Sequence, residues 1–549
     1  MTKFGSSSYK SPLGKIGSDY VELESIASRA NSIDEAAPSN PQYTGKINPL
    51  DEQLRLWRAI RRFPKVAAYC LVMNIAIVGL GYTLVINGAI LGLEEFMKDF
   101  GTEYKGKWII PQPYTSLWTA FVPIGGVIGA LLGGWLQGRL GRKFTFLTGS
   151  LLYAVGATVV FSSSLPEARD MKRIILTAGV AAQGLAVALL QTVTNTYLSE
   201  VTPTSLRGPA MAMIPSFTLL GQLLGSVVVF LVGDIKGNRA YQIPFGSQWI
   251  FAAITFLLSL IIPESPIHHL RKGKHDKAMR AARRLYSPKV PEHTALKVFH
   301  VILAEEEALG KATYIACFRG INRRRTLIVL LASAIPAMFG LDLLSTTPYF
   351  LQTIGIEEPT NMLFLIGGII AGMLANAAGI FVLSRRGMRI MTLVTMSLAA
   401  IFWAVMGISG FWGGEIPAYV AAGVLMAVII VCGLGAWPAS YGYIGQTSSM
   451  QVRALTQGLV GVLSQGLSAI MNAILPILYN PDSGNMGGKL GFVYTGLCLI
   501  AVILAWLFLP ELKGRSTVEI DRMFEMRLST RNFAKFKLDM YEPRRGEVA

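Results

Sequence analysis

The stretch Tyr197-Leu198-Ser199-Glu200-Val201-Thr202-Pro203-Thr204-Ser205-Leu206-Arg207-Gly208 closes one long apolar segment and opens the next. A related stretch starts 246 residues later, at Tyr443, and runs Tyr443-Ile444-Gly445-Gln446-Thr447-Ser448-Ser449-Met450-Gln451-Val452-Arg453-Ala454. The tyrosine and the arginine recur at the same interval, and both stretches lie between apolar segments. A long fixed offset of this kind predicts two copies of one unit in the same orientation.

Two further charged turns share this spacing. Arg139-Leu140-Gly141-Arg142 recurs around Arg385-Arg386-Gly387 at the same offset, and Pro263-Glu264 recurs as Pro510-Glu511. Because three separated turns repeat together, the duplication covers most of the chain.

Composition places the chain in the membrane class. It has 549 residues, of which 52% are hydrophobic and 15% charged, and its mean hydropathy is +0.46. An apolar bilayer core requires about 20 consecutive apolar residues per helix. Twelve stretches meet that length: Val66–Leu93, Trp108–Gly138, Phe144–Pro166, Ile174–Ser199, Gly208–Gly233, Ala240–Pro263, Thr326–Ile356, Pro359–Ser384, Ile390–Gly414, Ile416–Val452, Ala454–Pro481 and Leu490–Pro510.

The net charge is +17, and the distribution of its basic residues indicates the membrane topology. Lys and Arg concentrate before the first stretch, between the second and third, in the central loop and near the end of the chain. The positive-inside rule therefore predicts that both termini and the central loop are cytoplasmic. Since topology explains the basicity, nucleic acid is not an expected partner.

We therefore predict an all-α membrane protein with twelve transmembrane helices in two six-helix halves. Residues 1–60 are expected to be a disordered cytosolic tail without a cleaved signal, and residues 61–264 the first half. Residues 265–325 form a cytosolic loop with amphipathic pieces near 270–285 and 295–309, expected to be a small helical bundle. Residues 326–511 form the second half, and residues 512–549 a second cytosolic tail.

Polar side chains inside these apolar stretches are candidates for solute binding. Neutral amides offer both a donor and an acceptor, which suits an uncharged hydroxylated solute. In the fourth and fifth stretches these amides are Gln183, Gln191, Asn195 and Gln222. Hydrogen bonds between helices explain each of them equally well. The candidate residues are Asn87, Gln183, Gln222, Gln465 and Asn472, together with Trp437, where Trp437-Pro438 interrupts the tenth stretch.

Asp342 is the one ionisable residue inside a predicted span. A carboxylate at that depth is a functional-site hypothesis. Three roles remain open for it: a proton site, a hydrogen-bond acceptor for the solute, or a structural partner of a neighbouring helix.

From about Arg61 to about Asp539 the chain resembles the sugar porters of the major facilitator superfamily, and within them the fungal maltose or α-glucoside permeases. The resemblance rests on the two repeated turns and on further short motifs. These motifs are Arg62-Phe63-Pro64-Lys65, Gly81-Tyr82, Gly221-Gln222, Tyr241-Gln242-Ile243-Pro244-Phe245, Gln248-Trp249, Pro263-Glu264-Ser265-Pro266, Tyr349-Phe350-Leu351-Gln352, Asn480-Pro481 and Pro510-Glu511-Leu512-Lys513-Gly514-Arg515.

The resemblance implies a solute site between two halves and alternating access by rocking of the halves. It implies that Gln222 contacts sugar. It also implies that charged clusters latch the cytoplasmic gate. The latch residues are Arg139, Arg142, Glu200, Arg207 and Glu264 in the first half and Arg385, Arg386, Arg453 and Glu511 in the second.

The chain departs from the family pattern at several of these positions. Thr83 and Val180 replace the Asp and Arg of proton-coupled members, and Pro336-Ala337 replaces paired glutamines. In the inner latch, Gln446 stands where the family has Glu. Losing both members of the Asp/Arg pair leaves no stranded charge, so we expect a uniporter, with proton coupling through Asp342 as the minority hypothesis.

The expected function is a plasma-membrane carrier of a sugar or a similar polyhydroxylated neutral solute. A carrier of a non-sugar small molecule, such as a fungal secondary metabolite, and a non-transporting sugar sensor are the alternatives. No nucleophile-base set, metal-ligand spacing or phosphate loop is present, so neither an enzyme nor a cofactor is expected. The solute and the lipid bilayer are the expected partners, and no obligate protein partner is implied.

Overall fold

A computed structural model describes residues 56–536 except 105, 287, 289–312, 357–358, 450–451, 516 and 535. The expected N-terminal tail lies outside the described residues up to position 55, and residues 56–60 of it belong to a helix. The amphipathic piece near 295–309 also lies outside them. The described part is helical apart from one antiparallel hairpin, β1 (Thr102–Tyr104) with β2 (Lys107–Ile109).

The helices up to the central loop are as follows. They are α1 (Leu56–Arg62), α2 (Pro64–Ala89), α3 (Glu94–Phe100), α4 (Gln112–Leu140), α5 (Arg142–Ser162), α6 (Arg169–Val201), α7 (Thr204–Ala212), α8 (Ile214–Val232), α9 (Arg239–Ile261), α10 (Pro266–Arg271) and α11 (His275–Tyr286).

The helices after the central loop also include both long and short helices. They are α12 (Tyr314–Cys317), α13 (Gly320–Phe339), α14 (Leu341–Ser345), α15 (Thr347–Thr353), α16 (Thr360–Arg386), α17 (Met388–Ser409), α18 (Glu415–Leu434), α19 (Ala436–Thr447), α20 (Arg453–Tyr479), α21 (Gly491–Phe508) and α22 (Thr517–Glu525). Short 3₁₀ turns follow α2, precede α21 and follow α22.

Eleven helical segments of the described residues are long and apolar enough to cross a membrane. The seventh predicted span, Thr326–Ile356, is not one helix but three, α13, α14 and α15. The first break is at Gly340, which has φ +96° and ends α13 in a left-handed conformation. A residue with a side chain rarely adopts that conformation, so glycine decides where the helix ends. The layout of twelve helices in two halves stays a prediction.

Other predicted elements are also divided. The fifth span consists of α7 and α8, and the tenth consists of α18 and α19, which are separated at Gly435 rather than at Trp437-Pro438. The amphipathic piece near 270–285 divides at Gly273 into α10 and α11. The region expected as a C-terminal tail contains α22.

Helix packing places a long contact at the centre of the molecule. Helix α4 lies against α6 and also against α20, while α2 packs on α8, α16 on α18 and α17 on α21. Helix α4 belongs to the first predicted half and α20 to the second. Their contact therefore joins the two predicted halves.

Residues related by the repeat spacing share hydrogen bonds as well as residue type. The Tyr197 hydroxyl donates to the Pro263 carbonyl at 3.1 Å, and the Tyr443 hydroxyl donates to the Pro510 carbonyl at 2.9 Å. Equivalent residues thus make equivalent hydrogen bonds in the two repeats.

The repeated carboxylates cap helices. Glu264 accepts from the backbone N–H groups of Arg142 and Lys143, at 2.8 and 3.1 Å, where α5 begins. Glu511 accepts from Met388 and Arg389, both at 3.2 Å, where α17 begins. A negative group at a helix N-terminus pairs with N–H groups that have no partner within the helix.

A glycine precedes each capped helix. Gly141 has φ +95° and Gly387 has φ +97°. A Cβ at Gly141 would lie 2.3 Å from Glu264 Oε2, and a Cβ at Gly387 would lie 2.4 Å from Glu511 Oε2. Backbone and carboxylate together therefore exclude a side chain at either position.

We expect Gly141→Ala to lower the free energy of unfolding by about 1–3 kcal/mol, because alanine is strained at this φ and displaces the Glu264 cap. Gly138→Ala is the matched control, since no atom lies within 4 Å of a Cβ there. Thermal unfolding of the purified protein in detergent measures the difference. Equal midpoints for the two variants would refute the role of the glycine.

Candidate solute cavity and gates

A cavity of about 150 Å³ lies between the two predicted halves. Its walls come from α2, α4, α6 and α8 on one side and from α13, α14, α19 and α20 on the other. None of the described lining residues is Lys, Arg or His, and Asp342 is the one carboxylate among them. The walls therefore offer mainly neutral polar and apolar groups.

Six of the seven solute-binding candidates line this cavity. They are Asn87, Gln222, Asp342, Trp437, Gln465 and Asn472. Gln183 lies fully buried behind the wall, where its Oε1 accepts from Asn87 Nδ2 at 3.3 Å and its Nε2 donates to Gln248 Oε1 at 2.7 Å. The structure thus brings the candidates together, while their role in binding stays a prediction.

Asp342 is partly paired with a neighbouring helix. Its Oδ1 accepts from Asn472 Nδ2 at 3.0 Å, and Ser468 also forms a hydrogen bond with the carboxylate. Its Oδ2 is buried without a hydrogen-bond partner among the described residues. No described cation forms an ion pair with it, so one oxygen remains for a proton or a solute.

Four further cavity residues carry a buried polar atom with no hydrogen-bond partner among the described residues. A buried polar atom without a partner costs about 1–3 kcal/mol. These atoms are Asn87 Oδ1, Asn195 Oδ1, Gln457 Oε1 and Trp437 Nε1.

Sequence reasoning did not select Gln457 for the site, whereas Asn195 belongs to the deep amides of the fourth and fifth predicted spans that the sequence had already indicated for a hydroxylated solute. Gln457 lies one helical turn after Arg453, and its Nε2 donates to the Ile444 carbonyl at 3.2 Å, which directs Oε1 away from that carbonyl. The position of Gln457, one helical turn after the repeated Arg453, is the sequence feature that could have identified it as a site residue.

An uncharged cluster occupies the position of the missing ion pair. The Thr83 hydroxyl lies 2.7 Å from the Tyr153 hydroxyl and donates to the Gly79 carbonyl at 2.9 Å. Val180 is buried and supplies no polar group. Tyr153 could not be distinguished in the sequence from an ordinary core aromatic residue.

One wall of the cavity is poor in polar groups. Ser333, Pro336, Ala337 and Leu341 line it together. Pro336 and Ala337 stand where the related sugar porters are expected to have glutamines. Beside polar residues such as Asn87 and Asn472, the lining therefore includes apolar residues of α13 and α14.

We call the end of the molecule that contains Arg142 and Glu200 the arginine end. Arg142 Nη2 lies 2.6 Å from Glu200 Oε1, and the two side chains are 2% and 8% exposed. The Ser265 hydroxyl donates to the second Glu200 oxygen at 3.2 Å. Buried charges are stable only when paired and hydrogen-bonded in this way.

His268 completes this cluster. Its Nδ1 lies 3.1 Å from Arg142 Nη1, so Nδ1 is the acceptor. Burial and the guanidinium of Arg142 lower the pKa of His268 to about 4. The ring is therefore neutral at pH 7 and can accept that hydrogen bond.

The repeated arginines also make repeated contacts. Arg207 Nη2 donates to the Thr202 carbonyl at 3.3 Å, and Arg453 Nη2 donates to the Ser448 carbonyl at 3.2 Å. Arg453 Nη1 also donates to the Ser199 carbonyl at 3.3 Å. This last bond joins the two predicted halves at the arginine end.

The other predicted latch arginines lie outside the buried cluster. Arg139 stacks over the Trp135 ring at 4.5 Å, and Arg385 stacks over the Phe381 ring at 4.2 Å. Arg386 is exposed. The structure therefore unites Arg142, Glu200 and Glu264 but not these three arginines.

The opposite end, which we call the hairpin end, is closed by residues that were not predicted as gates. The Ile110 carbonyl, directly after β2, accepts from Asn480 Nδ2 at 3.2 Å and from the Tyr349 hydroxyl at 3.4 Å. Asp482 Oδ2 accepts from the Gln112 N–H at 2.9 Å and caps α4. Contacts between the predicted halves are therefore present at both ends of the cavity.

We expect Glu200→Gln to destabilise the protein by about 3–5 kcal/mol, because it leaves the buried guanidinium of Arg142 without its counter-charge. Asp170→Asn is the matched control, since Asp170 is 84% exposed and pairs with Arg173 on the same helix. Its expected effect is below about 1 kcal/mol. Unfolding midpoints in detergent decide, and equal losses in the two variants would contradict the prediction.

Comparison with known proteins agrees with this geometry. The family model for sugar (and other) transporters matches residues 69–524. The MFS transporter fmqE of Aspergillus fumigatus is 29% identical, over 89% of this chain and 92% of that protein. The general alpha-glucoside permease of Saccharomyces cerevisiae is 26% identical, over 96% of this chain and 85% of the permease.

A solved structure shares the fold. The proton:xylose symporter XylE, bound to 6-bromo-6-deoxy-D-glucose, superimposes with a TM-score of 0.71 at 17% identity, over 84% of this chain and 99% of XylE. The fold is therefore the all-helical fold of the major facilitator superfamily, and the resemblance noted in the sequence is confirmed. The chain belongs to the sugar (and other) transporter family and is a multi-pass membrane transporter, not an enzyme.

Proposed function

We propose that the protein carries a sugar, such as a hexose or an α-glucoside, or a similar polyhydroxylated neutral solute, across the plasma membrane as a uniporter. The cavity between the two predicted halves is the observation that carries this proposal. Its lining combines neutral amides, hydroxyls and an indole with an apolar wall. Sugars present hydroxyls that both donate and accept, together with C–H faces that pack on apolar groups.

The unpaired atoms of the cavity support a hydroxylated solute. Asn195 Oδ1, Gln457 Oε1 and Asp342 Oδ2 are acceptors, while Trp437 Nε1 is a donor. A hydroxyl can serve both kinds of atom. A solute without hydroxyls or N–H groups would leave the acceptors unsatisfied at a cost of about 1–3 kcal/mol each.

The cavity volume is suited to a small solute. One water takes up about 30 Å³ in the liquid, so about 150 Å³ corresponds to roughly five water molecules. A hexose, with about twelve non-hydrogen atoms, displaces a similar amount of water. We therefore place hexose ahead of larger glucosides in this closed arrangement.

The uncharged cluster around Thr83 supports uniport. A proton-coupled carrier needs a group that gains and loses a proton during the cycle, and Thr83, Tyr153 and Val180 offer no carboxylate. Asp342 is the remaining candidate in the cavity. Proton coupling through Asp342 is therefore the minority hypothesis.

We infer alternating access by rocking of residues 61–264 against residues 326–511. The basic loops support an orientation in which the arginine end and both termini face the cytosol. Charged contacts at the arginine end would then be the cytoplasmic latch. The hairpin end would face outwards.

A less polar small molecule is the second candidate. The wall formed by Pro336, Ala337 and Leu341 favours it, since a site specialised for sugar gains little from these residues. The transport assay below separates the two candidates.

We expect saturable uptake of labelled glucose in yeast cells that lack their own hexose carriers. For a uniporter, accumulation stops at the external concentration and is unchanged by an uncoupler. Labelled maltose tests the larger glucosides in parallel. Uncoupler-sensitive accumulation would overturn uniport, and Asp342→Asn would then be expected to abolish it. No uptake of either sugar, with the protein present at the cell surface, would overturn sugar transport and favour the less polar solute.

We expect Asn195→Ala to raise KM for the transported sugar roughly 2- to 12-fold, the equivalent of one lost hydrogen bond. Thr194→Ala is the matched control. Thr194 also has an unpaired buried oxygen among the described residues but does not line the cavity. Initial uptake rates over a range of sugar concentrations measure both variants. An equal rise in KM for the two would refute a direct contact between Asn195 and the solute.

A further inference from the structure

A short helix precedes the seventh predicted span at the arginine end. It is α12, and the Thr313 hydroxyl caps it by accepting from the Ala316 N–H at 3.2 Å. Its first residue, Tyr314, is 36% exposed, and its hydroxyl oxygen lies between Gly134 of α4 and Gly458 of α20. The chain therefore inserts one polar atom from outside the predicted membrane spans into the contact between the predicted halves.

Two glycines form the notch that receives this atom. A Cβ at Gly134 of α4 would lie 3.1 Å from the Tyr314 hydroxyl oxygen, and a Cβ at Gly458 of α20 would lie 3.3 Å from it. The same Cβ at Gly134 would lie 3.9 Å from the Gly458 Cα. The glycines therefore face each other across the two predicted halves, and the hydroxyl contacts both.

The notch is the last contact of a continuous line towards the arginine end. Farther from that end, a Cβ at Gly461 would lie 2.7 Å from Ala130 Cβ, and a Cβ at Gly126 would lie 2.9 Å from the Gln465 side chain. Small side chains let two helices approach closely. When the halves separate at the arginine end, Gly134 and Gly458 are the first of these pairs to part.

The segment that carries Tyr314 is attached to the second predicted half. The Thr326 hydroxyl of α13 donates to the Cys317 carbonyl at 2.8 Å, and Cys317 Sγ lies 3.9 Å from Thr456 Oγ1 of α20. The Ser449 hydroxyl donates to Asn322 Oδ1 at 3.0 Å. Tyr314 therefore moves with α13 and α20, and its contact with Gly134 is the one that opening breaks.

We propose that Tyr314 is a positioning residue of the gate at the arginine end. Its hydroxyl sits in the Gly134–Gly458 notch when this end is closed, stabilises the closed arrangement, and leaves Gly134 when the end opens. The proposal rests on the alternating-access part of the proposed function and does not depend on the identity of the solute. It gives the central loop a direct role in gating, through a residue that is not part of the buried charge cluster.

The experiment measures opening without any solute. Thr192→Cys places a thiol in the cavity beside Gly461, and the four native cysteines are buried. A membrane-impermeant maleimide added to inside-out vesicles labels this thiol only when the arginine end opens. In that background we expect Tyr314→Ala and Tyr314→Phe each to raise the labelling rate about threefold or more, because the closed state loses contacts while the open state does not.

Glycine variants test the notch itself. Gly134→Ala brings a methyl group against the Tyr314 hydroxyl, so it should raise the labelling rate alone but add nothing to Tyr314→Phe, which removes the crowded atom. Gly138→Ala on α4 and Gly466→Ala on α20 are matched controls, since no atom lies within 4 Å of a Cβ at either position. Both should label at the parent rate.

Other outcomes would overturn the proposal. One is a labelling rate in Tyr314→Ala equal to that of the parent. Another is that Gly134→Ala and Tyr314→Phe raise the labelling rate additively. A third is that the thiol is not labelled in any variant. The last outcome would also argue against alternating access. Failure of sugar uptake, by contrast, would leave the labelling result and this proposal intact. Unfolding midpoints in detergent establish that each variant is folded.

Discussion

Charged and polar groups inside an apolar protein need partners, and this requirement shapes the molecule at three levels. At the arginine end, Arg142 and Glu200 pair directly while Glu264 closes the start of α5. At the hairpin end, the Ile110 carbonyl and the first N–H of α4 find partners in the second predicted half. In the cavity the partners are incomplete. Among the residues that the structure describes, Asn195, Gln457 and Asp342 each keep an oxygen without a partner.

The two repeats pair their polar groups in the same way at most positions, but not at the buried ion pair. Glu264 and Glu511 cap equivalent helices, and Tyr197 and Tyr443 reach equivalent carbonyls. The ion pair is not repeated, since Gln446 stands at the position of Glu200 and its amide lies against Gly208. The arginine end therefore has a buried ion pair in the first repeat and a neutral amide at the equivalent position of the second. Tyr314 adds an uncharged contact at the same end.

The cavity shows how a missing charge pair is replaced. Thr83 and Tyr153 bond to each other and to the backbone, and Val180 is a buried apolar residue. This arrangement places no charged side chain at Thr83, Tyr153 or Val180. In the second predicted half, Asp342 keeps a half-paired carboxylate beside Asn472. The side of the cavity that could respond to a proton therefore differs from the side where proton-coupled relatives are expected to have their pair.

The sequence alone predicted the membrane class, the repeat and the family, because hydropathy, spacing and short motifs are local properties of the chain. It also selected six residues that meet in one cavity, since a polar side chain in an apolar helix needs a polar surrounding. It could not predict that the seventh span breaks at Gly340, or that Arg139 stacks on Trp135 instead of joining the latch. Nor could it identify Tyr153, Gln457 or Tyr314, because nothing in the local sequence distinguishes them and their contacts come from helices distant in the chain. Tertiary structure decided these points, because the partner of each residue comes from another helix, often in the other repeat.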